Sequence, residues 1–338
     1  MPLMVGSEDW PLAEPFAIAR GVKDVAVTAV ARISDGRMVG QGESTPYARY
    51  GEDPDGVVER IWALADEAQA WAEDPRAARV ALATRLPAGA ARNALDCALW
   101  DLEAKRSGRP VVEMTGLTPP ERTGTATTLS LGTPEAMAAS AARRIKAAGD
   151  PGALLKAKLG SGDVALETAR IRAIREAAPK ARLILDANEG WTAETLEALD
   201  PVAAAAGTLF IEQPLKAGED AALSDLRLQT PLCADESVHV AADLSALKGR
   251  YQVVNVKLDK TGGLTEAIAL REAALAEGFG LMIGCMVATS LAMAPAYLLT
   301  EGALAVDLDG PLLLARDRDP GIRYAGATMF APPPALWG

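Results

Sequence analysis

The chain contains a series of short apolar runs, each followed closely by a charged residue. Successive charges lie 28, 26, 23 and 25 residues apart, helix-like segments at 165–178 and 193–206 lie between them, and another at 265–277 follows the last. An interval of this length fits one strand, one helix and two loops. Because the strands are almost continuously apolar, the repeat predicts a parallel sheet covered on both faces. The charges in the series are Lys158, Asp186, Glu212, Asp235 and Lys260.

Functional residues at the ends of successive parallel strands are typical of a (β/α) barrel, whose active site forms there. Segments 125–131, 280–284 and 303–306 predict the first, seventh and eighth strands, and the barrel is predicted to span residues 119–320. The second strand then carries Lys156 and Lys158, the third to fifth strands carry the three acids, and the sixth ends at Lys260.

Residues 1–118 predict a separate α+β domain. A strand at 25–33 and a hairpin partner at 38–45 precede helical segments at 55–74, 77–84 and 90–105. A pair of prolines at 119–120 marks the boundary with the barrel. A terminal strand within 321–330 is predicted to return to the first domain, so that residues from about 321 to 338 complete it.

Composition narrows the classes of function. The chain of 338 residues has a formal net charge of -11, which disfavours nucleic acid and anionic membrane surfaces as partners. No run of about 18 apolar residues predicts a membrane span, and the first eleven residues do not look like a signal peptide. The three cysteines form no ligand cluster, which fits a reducing cytoplasm. With His239 as the only histidine, Ser-His or Cys-His catalysis is nearly excluded.

The two lysines of the second strand are candidates for acid–base chemistry. Lys156 and Lys158 are two residues apart and therefore project from the same face of a strand. Burial and mutual repulsion both lower the pKa of a lysine, which predicts a base near neutral pH. The alternative is a solvated strand end with two surface lysines.

The three acids predict a metal site. Asp186, Glu212 and Asp235 would converge at one barrel mouth, and oxygen ligands without Cys or His favour Mg²⁺ or Mn²⁺. Helix capping is the alternative for Asp186 and Asp235. Lysines on the strands before and after the acids would face the bound substrate from two sides. Such an arrangement predicts removal of a proton from the carbon beside a carboxylate and its return on the other face.

Asp307 and Asp309 form a second acidic pair at the end of the eighth strand. A single metal ion that already has three acidic ligands does not need them. Their predicted use is to bind a substrate cation such as a free ammonium group. The alternative is a turn, because the sequence Asp309-Gly310-Pro311 is typical of one.

These motifs resemble the muconate-lactonizing subgroup of the enolase superfamily, and the Asp-x-Asp pair resembles that of its dipeptide epimerases. The resemblance covers nearly the whole chain and implies a (β/α)7β modified TIM barrel with an N-terminal α+β capping domain. It also implies epimerisation of L-Ala-D-Glu and L-Ala-L-Glu through a Mg²⁺-stabilised enediolate, with one ion per subunit, in murein peptide recycling. The motifs that carry it are 91–96, Lys156-Ala157-Lys158, Asp186-Ala187-Asn188, 211–214, 234–237 and 257–263.

By this resemblance Lys158 and Lys260 are the acid/base catalysts, and Lys156 binds the substrate carboxylate. The remaining implied substrate contacts are Asp307, Asp309, Thr128, Cys285 and Arg20, the last of them for the glutamyl side chain. Many relatives carry glutamate at the position of Ala288, and its absence argues against cycloisomerase chemistry.

Three alternatives stay open at this point. One is another reaction of the subgroup, namely N-acylamino acid racemisation, o-succinylbenzoate synthesis or cycloisomerisation, or a dipeptide epimerase with another side-chain specificity. A second is a Schiff-base aldolase that uses Lys156 or Lys158. The third is a catalytically silent barrel that acts as a scaffold. The partner expected is a small dipeptide, and a homo-oligomer is compatible with the sequence.

Overall fold

Three sheets organise the chain in the computed structural model, which describes residues 2–338. The first sheet is antiparallel, with the order β1-β2-β3, and the second has eight strands in sequence order, β5 to β12. The third is a small sheet with the order β13-β14-β4. The strands are β1 Leu3–Ile18, β2 Gly21–Ser34, β3 Val39–Ser44, β4 Arg122–Gly124, β5 Thr127–Leu129, β6 Leu154–Lys158, β7 Arg182–Asp186, β8 Thr208–Glu212, β9 Leu232–Ala234, β10 Val253–Val256, β11 Gly280–Gly284, β12 Ala305–Asp307, β13 Tyr324–Ala325 and β14 Thr328–Phe330.

Helices cover the first sheet and surround the second. They are α1 Pro54–Trp62, α2 Ala68–Glu73, α3 Pro75–Arg85, α4 Ala90–Ser107, α5 Val111–Thr115, α6 Pro134–Ala148, α7 Val164–Ala177, α8 Ala193–Ala205, α9 Leu244–Leu247, α10 Leu258–Thr261, α11 Leu264–Ala276, α12 Ser290–Tyr297 and α13 Gly310–Leu313. None of the helices within residues 2–338 is long and apolar enough to cross a membrane.

The N-terminal sheet contains the predicted hairpin and one strand that the pattern did not predict. β2 and β3 correspond to the predicted pair, whereas β1 was missed. Pro11 and Pro15 interrupt the alternation of β1, and its register with β2 shifts between Pro11 and Phe16. An edge strand tolerates proline because one side of its backbone is not paired. The predicted helix at 55–74 is divided into α1, a 3₁₀ turn and α2.

The longest helix of the capping domain, α4, packs directly on β3. A Cβ atom at Gly42 would collide with the Ala94 carbonyl oxygen of α4. Glycine in β3 therefore allows an approach between helix and strand that any larger residue would prevent. The buried faces of α4 and the sheet form a core of their own, in which Ile33, Ile61, Leu95 and Leu99 are fully buried.

The eight parallel strands form a nearly closed barrel, as the repeat predicted. The backbone N–H of Ala126 donates to Val306 O at 2.7 Å, which joins the last strand to the chain just before the first. Strand–helix alternation holds for β6–α7, β7–α8 and β10–α11, but only a 3₁₀ turn, Asp220–Asp225, connects β8 to β9. The structure is therefore an α/β barrel with an N-terminal α+β capping domain.

The interior of the barrel is layered. Its lower layer is an apolar plug to which every strand region contributes one side chain, namely Ala126, Leu154, Ile184, Phe210, Cys233, Val253, Met282 and Ala305. Inward-facing positions recur every second residue. The next layer toward the carboxyl ends is therefore two residues further along each strand, and it consists of Thr128, Lys156, Asp186, Glu212, Asp235, Asn255, Gly284 and Asp307. The polar layer, called the floor of the site below, thus rests on an apolar core.

The C-terminal tail contacts both parts of the chain. β14 pairs antiparallel with β4, just before the barrel begins. Further along, Trp337 Nε1 donates to Cys97 O at 3.0 Å, and Gly338 N donates to Asp101 Oδ1 at 2.9 Å, so the last residues are held against α4.

Candidate active site

A cavity of about 640 Å³ lies above the polar floor of the barrel. Its roof comes from the capping domain, through the turn between β1 and β2 and the loop that contains Tyr47, Arg49 and Tyr50. Eight of the predicted site residues line it, namely Arg20, Thr128, Lys156, Lys158, Asp235, Cys285, Asp307 and Asp309. Asp186, Glu212 and Lys260 lie beneath this lining and contact the lysines and acids that form it.

Lys156 is at the centre of the floor and is almost completely buried. Its Nζ lies 2.7 Å from Glu212 Oε2, 2.9 Å from Asp307 Oδ2 and 3.2 Å from Asp186 Oδ2. Burial by itself lowers the pKa of Lys156, but these carboxylates outweigh it and raise the pKa well above its ordinary value. The expectation of a lowered pKa is therefore wrong for Lys156, whose charged form the surrounding carboxylates favour.

Asp186, Glu212 and Asp235 form a row of acids along three adjacent strands. Lys158 and Lys260 contact its two outer members, Asp186 and Asp235. Lys158 Nζ donates to Asp186 Oδ2 at 2.6 Å. Lys260 is not at the end of its strand, as predicted, but in the short helix α10 that follows β10. From there its Nζ turns back to donate to Asp235 Oδ1 at 2.6 Å and to Asn255 O at 2.9 Å. Burial lowers the pKa of Lys260, which agrees with the acid/base role predicted for it.

The pKa values of the three carboxylates shift in opposite directions. For Asp186 and Asp235 burial raises the pKa, but neighbouring ammonium groups outweigh it and hold the pKa below the usual range. For Glu212, burial and the charge of Asp186 raise the pKa to about 7. Glu212 Oε2 is buried and accepts no hydrogen bond of good geometry, although Lys156 lies beside it. The row of acids therefore has acceptor capacity that its hydrogen bonds do not use.

The donor set of the row fits a hard divalent cation. Three buried carboxylates lie at the carboxyl ends of three adjacent strands, and Asn255 Nδ2 donates to Glu212 Oε1 at 2.8 Å, so that only the ammonium group of Lys156 contacts the other oxygen, Oε2. In the present arrangement ammonium groups lie between the acids, and within residues 2–338 no three His, Cys, Asp or Glu side chains are grouped closely enough to hold an ion. Ligation by all three acids requires Lys156 to move away from them.

Asp307 and Asp309 lie at the opposite side of the floor. Asp307 Oδ2 accepts from Lys156, while its Oδ1 is buried without a hydrogen-bond partner. Asp309 Oδ2 accepts from the backbone N–H of Thr128 at 2.7 Å. Burial and the charge of Asp307 raise the pKa of Asp309 to about 6. The pair therefore carries unsatisfied acceptor capacity that faces the cavity, next to the half-buried Cys285 at the end of β11.

Arg20 reaches the barrel from the turn between β1 and β2. Its guanidinium donates to Asn188 O at 2.9 Å, to Glu236 Oε1 at 2.8 Å and to the Tyr47 hydroxyl at 2.8 Å, and it lies 3.2 Å from Glu189 Oε2. Glu189 also accepts two bonds from Arg49, at 2.6 and 2.7 Å. Two arginines of the capping domain are thus paired with two acids of the barrel.

Several residues that help to build the site were not predicted from the sequence. Lys257 Nζ donates to Asp235 Oδ2 at 2.6 Å and was noted only as part of a motif. Asn255 is a polar residue inside an otherwise apolar strand, which was an available signal. Glu189, Arg49 and Glu236 come from three separate loops, and no spacing rule connects them.

Two family profiles match most of the chain. One, described as mandelate racemase / muconate lactonizing enzyme, N-terminal domain, matches residues 2–116. The other, described as enolase C-terminal domain-like, matches residues 136–319.

Curated relatives and solved structures match over nearly full length. The L-Ala-D/L-Glu epimerase of Escherichia coli is 47% identical over 320 residues, covering 95% of this chain and 96% of that protein. The N-acetyl-D-glutamate racemase of Pseudoalteromonas sp is 47% identical over 306 residues, covering 90% and 93%. An enolase family member from Agrobacterium tumefaciens with homology to dipeptide epimerases, solved with sodium and L-Ala-L-Glu bound, is 47% identical with a TM-score of 0.93 and covers 99% of both chains.

A dipeptide epimerase from Cytophaga hutchinsonii, solved with Mg and D-Ala-L-Val, is 27% identical with a TM-score of 0.90, covering 98% of this chain and 92% of that one. The family predicted from the motifs is thereby confirmed. With both domains matched and relatives at nearly half identity over their whole length, the chain belongs to the enolase superfamily, as a member with mandelate racemase/muconate lactonizing enzyme domains.

Proposed function

We propose that this protein is an isomerase that interconverts L-Ala-D-Glu and L-Ala-L-Glu by inverting the α-carbon of the second residue. The observation that carries the proposal is the placement of two buried lysines at opposite ends of one row of acids. Lys158 is held by Asp186 and Lys260 by Asp235, with Glu212 on the strand between them. The curated relative from Escherichia coli, an L-Ala-D/L-Glu epimerase, supports the same substrate.

The two lysines act as the base and the acid on opposite faces of the α-carbon. One removes the α-proton, and the other returns a proton to the opposite face, so the configuration inverts without a redox step. The intermediate is an enediolate, whose negative charge Lys156 stabilises from the floor, because the carboxylates of the site raise the pKa of Lys156 and favour its charged form. The carboxylates beside Lys158 and Lys260 orient the ammonium groups, and the apolar plug beneath them excludes water.

Asp186, Glu212 and Asp235 are the residues that would hold Mg²⁺, one ion per protein chain. When bound, the ion supplies a positive charge that stabilises the developing charge of the substrate carboxylate. Other dipeptide epimerases of this family have been solved with Mg, which supports the choice of ion. Mn²⁺ satisfies the same oxygen ligands.

The remaining contacts assign the ends of the dipeptide. Asp307 and Asp309 receive its ammonium group, Thr128 and Cys285 contact its backbone, and Arg20 receives the glutamyl carboxylate. We place the reaction in the cytoplasm, in the recycling of murein peptides. All three cysteines are free thiols, which agrees with a reducing compartment.

The decisive experiment separates the two lysines. In D₂O, wild type should incorporate deuterium at the α-carbon of the second residue in both diastereomers. Lys158→Ala and Lys260→Ala should each abolish epimerisation, yet each should still exchange the α-proton of one diastereomer through the remaining base. The two variants should exchange opposite diastereomers, as followed by proton NMR. If both variants exchanged the same diastereomer, the two-face mechanism would be wrong.

A second candidate is racemisation of an N-acylated glutamate. It is favoured by the pairing of Asp307 with Lys156, which partly neutralises the proposed ammonium site, and by the N-acetyl-D-glutamate racemase among the relatives. Wild-type kcat/KM on L-Ala-L-Glu and on N-acetyl-L-glutamate distinguishes the two functions. A higher value for the acetylated amino acid would establish the second.

A further inference from the structure

Gln213 directly follows the candidate metal ligand Glu212 and is completely buried. Its φ is +34°, in the left-handed region that residues other than glycine rarely adopt. Within residues 2–338, the other non-glycine residues with positive φ are Asn188 and Glu189, just beyond the end of β7. Backbone of this kind persists only where its surroundings hold it, and it is concentrated at functional sites. The contacts of Gln213 therefore indicate its role.

The main chain of Gln213 is bonded to the segments on both sides of β8. Its N–H donates to Cys233 O of β9 at 2.9 Å, and its carbonyl accepts from the Glu189 N–H at 2.8 Å. The side chain adds two bonds, because Oε1 accepts from the backbone N–H of Asp235 at 2.9 Å and from that of Ser237 at 3.1 Å. One residue thus joins the ends of the three strands that carry the candidate metal ligands.

The nitrogen end of the amide is held by a buried polar network. Gln213 Nε2 donates to Leu215 O at 2.9 Å and lies 2.8 Å from Ser237 Oγ and 3.0 Å from the Tyr251 hydroxyl. Both hydroxyls donate to Asp220 Oδ2, at 2.6 and 2.8 Å. Because an ionised carboxylate only accepts hydrogen bonds, the hydroxyl oxygens are left to accept from Gln213. The network thus orients the amide so that its oxygen faces the N–H groups that follow β9.

We propose that Gln213 is a positioning residue that sets the spacing of the three candidate metal ligands. This inference rests on the proposed function, because it takes Asp186, Glu212 and Asp235 as the ligands of Mg²⁺. Gln213 does not bind the ion. It fixes the main chain at Glu212 and Asp235, so the cost of ordering these carboxylates is met when the protein folds and not when the ion binds.

The test measures the Kd for Mg²⁺ of the folded protein by calorimetry, with the free energy of unfolding in EDTA as a separate readout. Gln213→Met keeps the length of the side chain and removes its hydrogen bonds. Its Kd should rise roughly 10–100-fold, the effect typical of groups that orient metal ligands. Gln213→Asn suits the left-handed backbone but is one methylene too short for the same bonds. It should therefore weaken Mg²⁺ binding in the same direction.

A double-mutant cycle separates positioning from general destabilisation. Tyr251→Phe removes one hydroxyl that orients the amide, so it should raise the Kd by less than Gln213→Met does. In the Gln213→Met background it should add nothing, because its effect passes through the amide.

The matched control is Gln252→Met. Gln252 Oε1 accepts from the Leu232 N–H at 2.9 Å, at the opposite end of β9 from the candidate ligands. The change removes a glutamine bond to the same strand and lowers the free energy of unfolding, but it should leave the Kd for Mg²⁺ unchanged.

Wild-type affinity in folded Gln213→Met and Gln213→Asn would overturn the positioning role, as would an equal loss in Gln252→Met. If neither Gln213 variant folds, Tyr251→Phe decides, and a Kd no higher than that of Gln252→Met would overturn the role. A wild type that binds no Mg²⁺ would overturn the metal assignment and this inference with it. A wild type that binds Mg²⁺ but epimerises no dipeptide would overturn the proposed function alone.

Discussion

Replacing Asp259 with asparagine tests how the capping domain is fixed to the helix that carries Lys260. Asp259 belongs to α10 and is only 5% exposed. Its Oδ1 accepts from the Thr45 backbone N–H at 2.8 Å and from Asn93 Nδ2 at 2.9 Å, and both donors belong to the capping domain. Burial raises its pKa from the ordinary 3.8 to about 7 despite these hydrogen bonds, and the charges of Glu52 and Glu43 add to the effect.

The sign of the pH effect follows from this raised pKa. Between pH 3.8 and about 7 the folded protein holds a proton on Asp259 that the unfolded chain has released. The contribution of this group to the free energy of unfolding is therefore full below pH 3.8. It declines as the pH rises from 3.8 and is lost once the pH has passed through about 7. At about 1.4 kcal/mol per pH unit, the loss between pH 5 and pH 8 is on the order of 3 kcal/mol.

Asparagine does not titrate, and its amide oxygen can accept both hydrogen bonds. We therefore expect Asp259→Asn to gain on the order of 3 kcal/mol relative to wild type when the pH is raised from 5 to 8. Urea unfolding at both pH values, with the free energy of unfolding extrapolated to water, measures the difference. Asp259→Ala is the contrasting variant, because it leaves the buried Thr45 N–H without an acceptor and should destabilise at both pH values.

The reasoning would be refuted if the stability difference between Asp259→Asn and wild type were the same at pH 5 and pH 8. That result would show that Asp259 is ionised in the folded protein at both values, and that its hydrogen bonds offset burial. Loss of stability in Asp259→Asn at pH 8 would show instead that the negative charge itself stabilises the contact between the domains.

Three further outcomes are expected. Asp235→Asn should weaken Mg²⁺ binding, measured by calorimetry, by more than the roughly 10–100-fold that changes outside the ligand set cost, and full activity after exhaustive chelation would contradict the metal assignment. Asp309→Asn should lower kcat/KM on L-Ala-L-Glu by about ten- to a hundredfold and much less on its N-acetyl form, and equal losses would mean that the residue only shapes the loop. Glu189→Gln should raise KM about tenfold with little change in kcat, because Arg20 and Arg49 lose their shared anion, whereas a fall in kcat alone would count against a role in holding the roof.

The barrel could be predicted from the sequence because each strand–helix unit carries its own local signal and the unit recurs along the chain. Each unit places one charge just after an apolar strand, so a periodic reading finds Lys158, Asp186, Glu212 and Asp235 without knowledge of their neighbours. Lys260 followed the same spacing but lies in a helix, because the chain turns immediately after β10. Position along the chain thus predicted that the lysine belongs to the site but not the element that carries it.

Properties that depend on distant segments could not be predicted in the same way. The pKa of Lys156 is set by carboxylates on β7, β8 and β12, which outweigh the burial and repulsion visible in its own strand. Strand β1 escaped detection because prolines and acids break its alternation, and its pairing with β2 maintains it. The network of Glu189 joins segments more than a hundred residues apart, and no local pattern encodes it.

The hairpin that bears Arg20 belongs to the capping domain, whereas Lys158 and Lys260 belong to the barrel. The lysines that we propose as proton carriers lie in a strand and a short helix of the barrel, whereas Arg20, proposed to bind the glutamyl carboxylate, lies in the turn between β1 and β2. A turn tolerates changes in sequence and length that a packed strand does not. Under the proposed roles, exchange of the turn residues around Arg20 would change substrate selectivity and would leave Lys158 and Lys260 of the barrel unchanged.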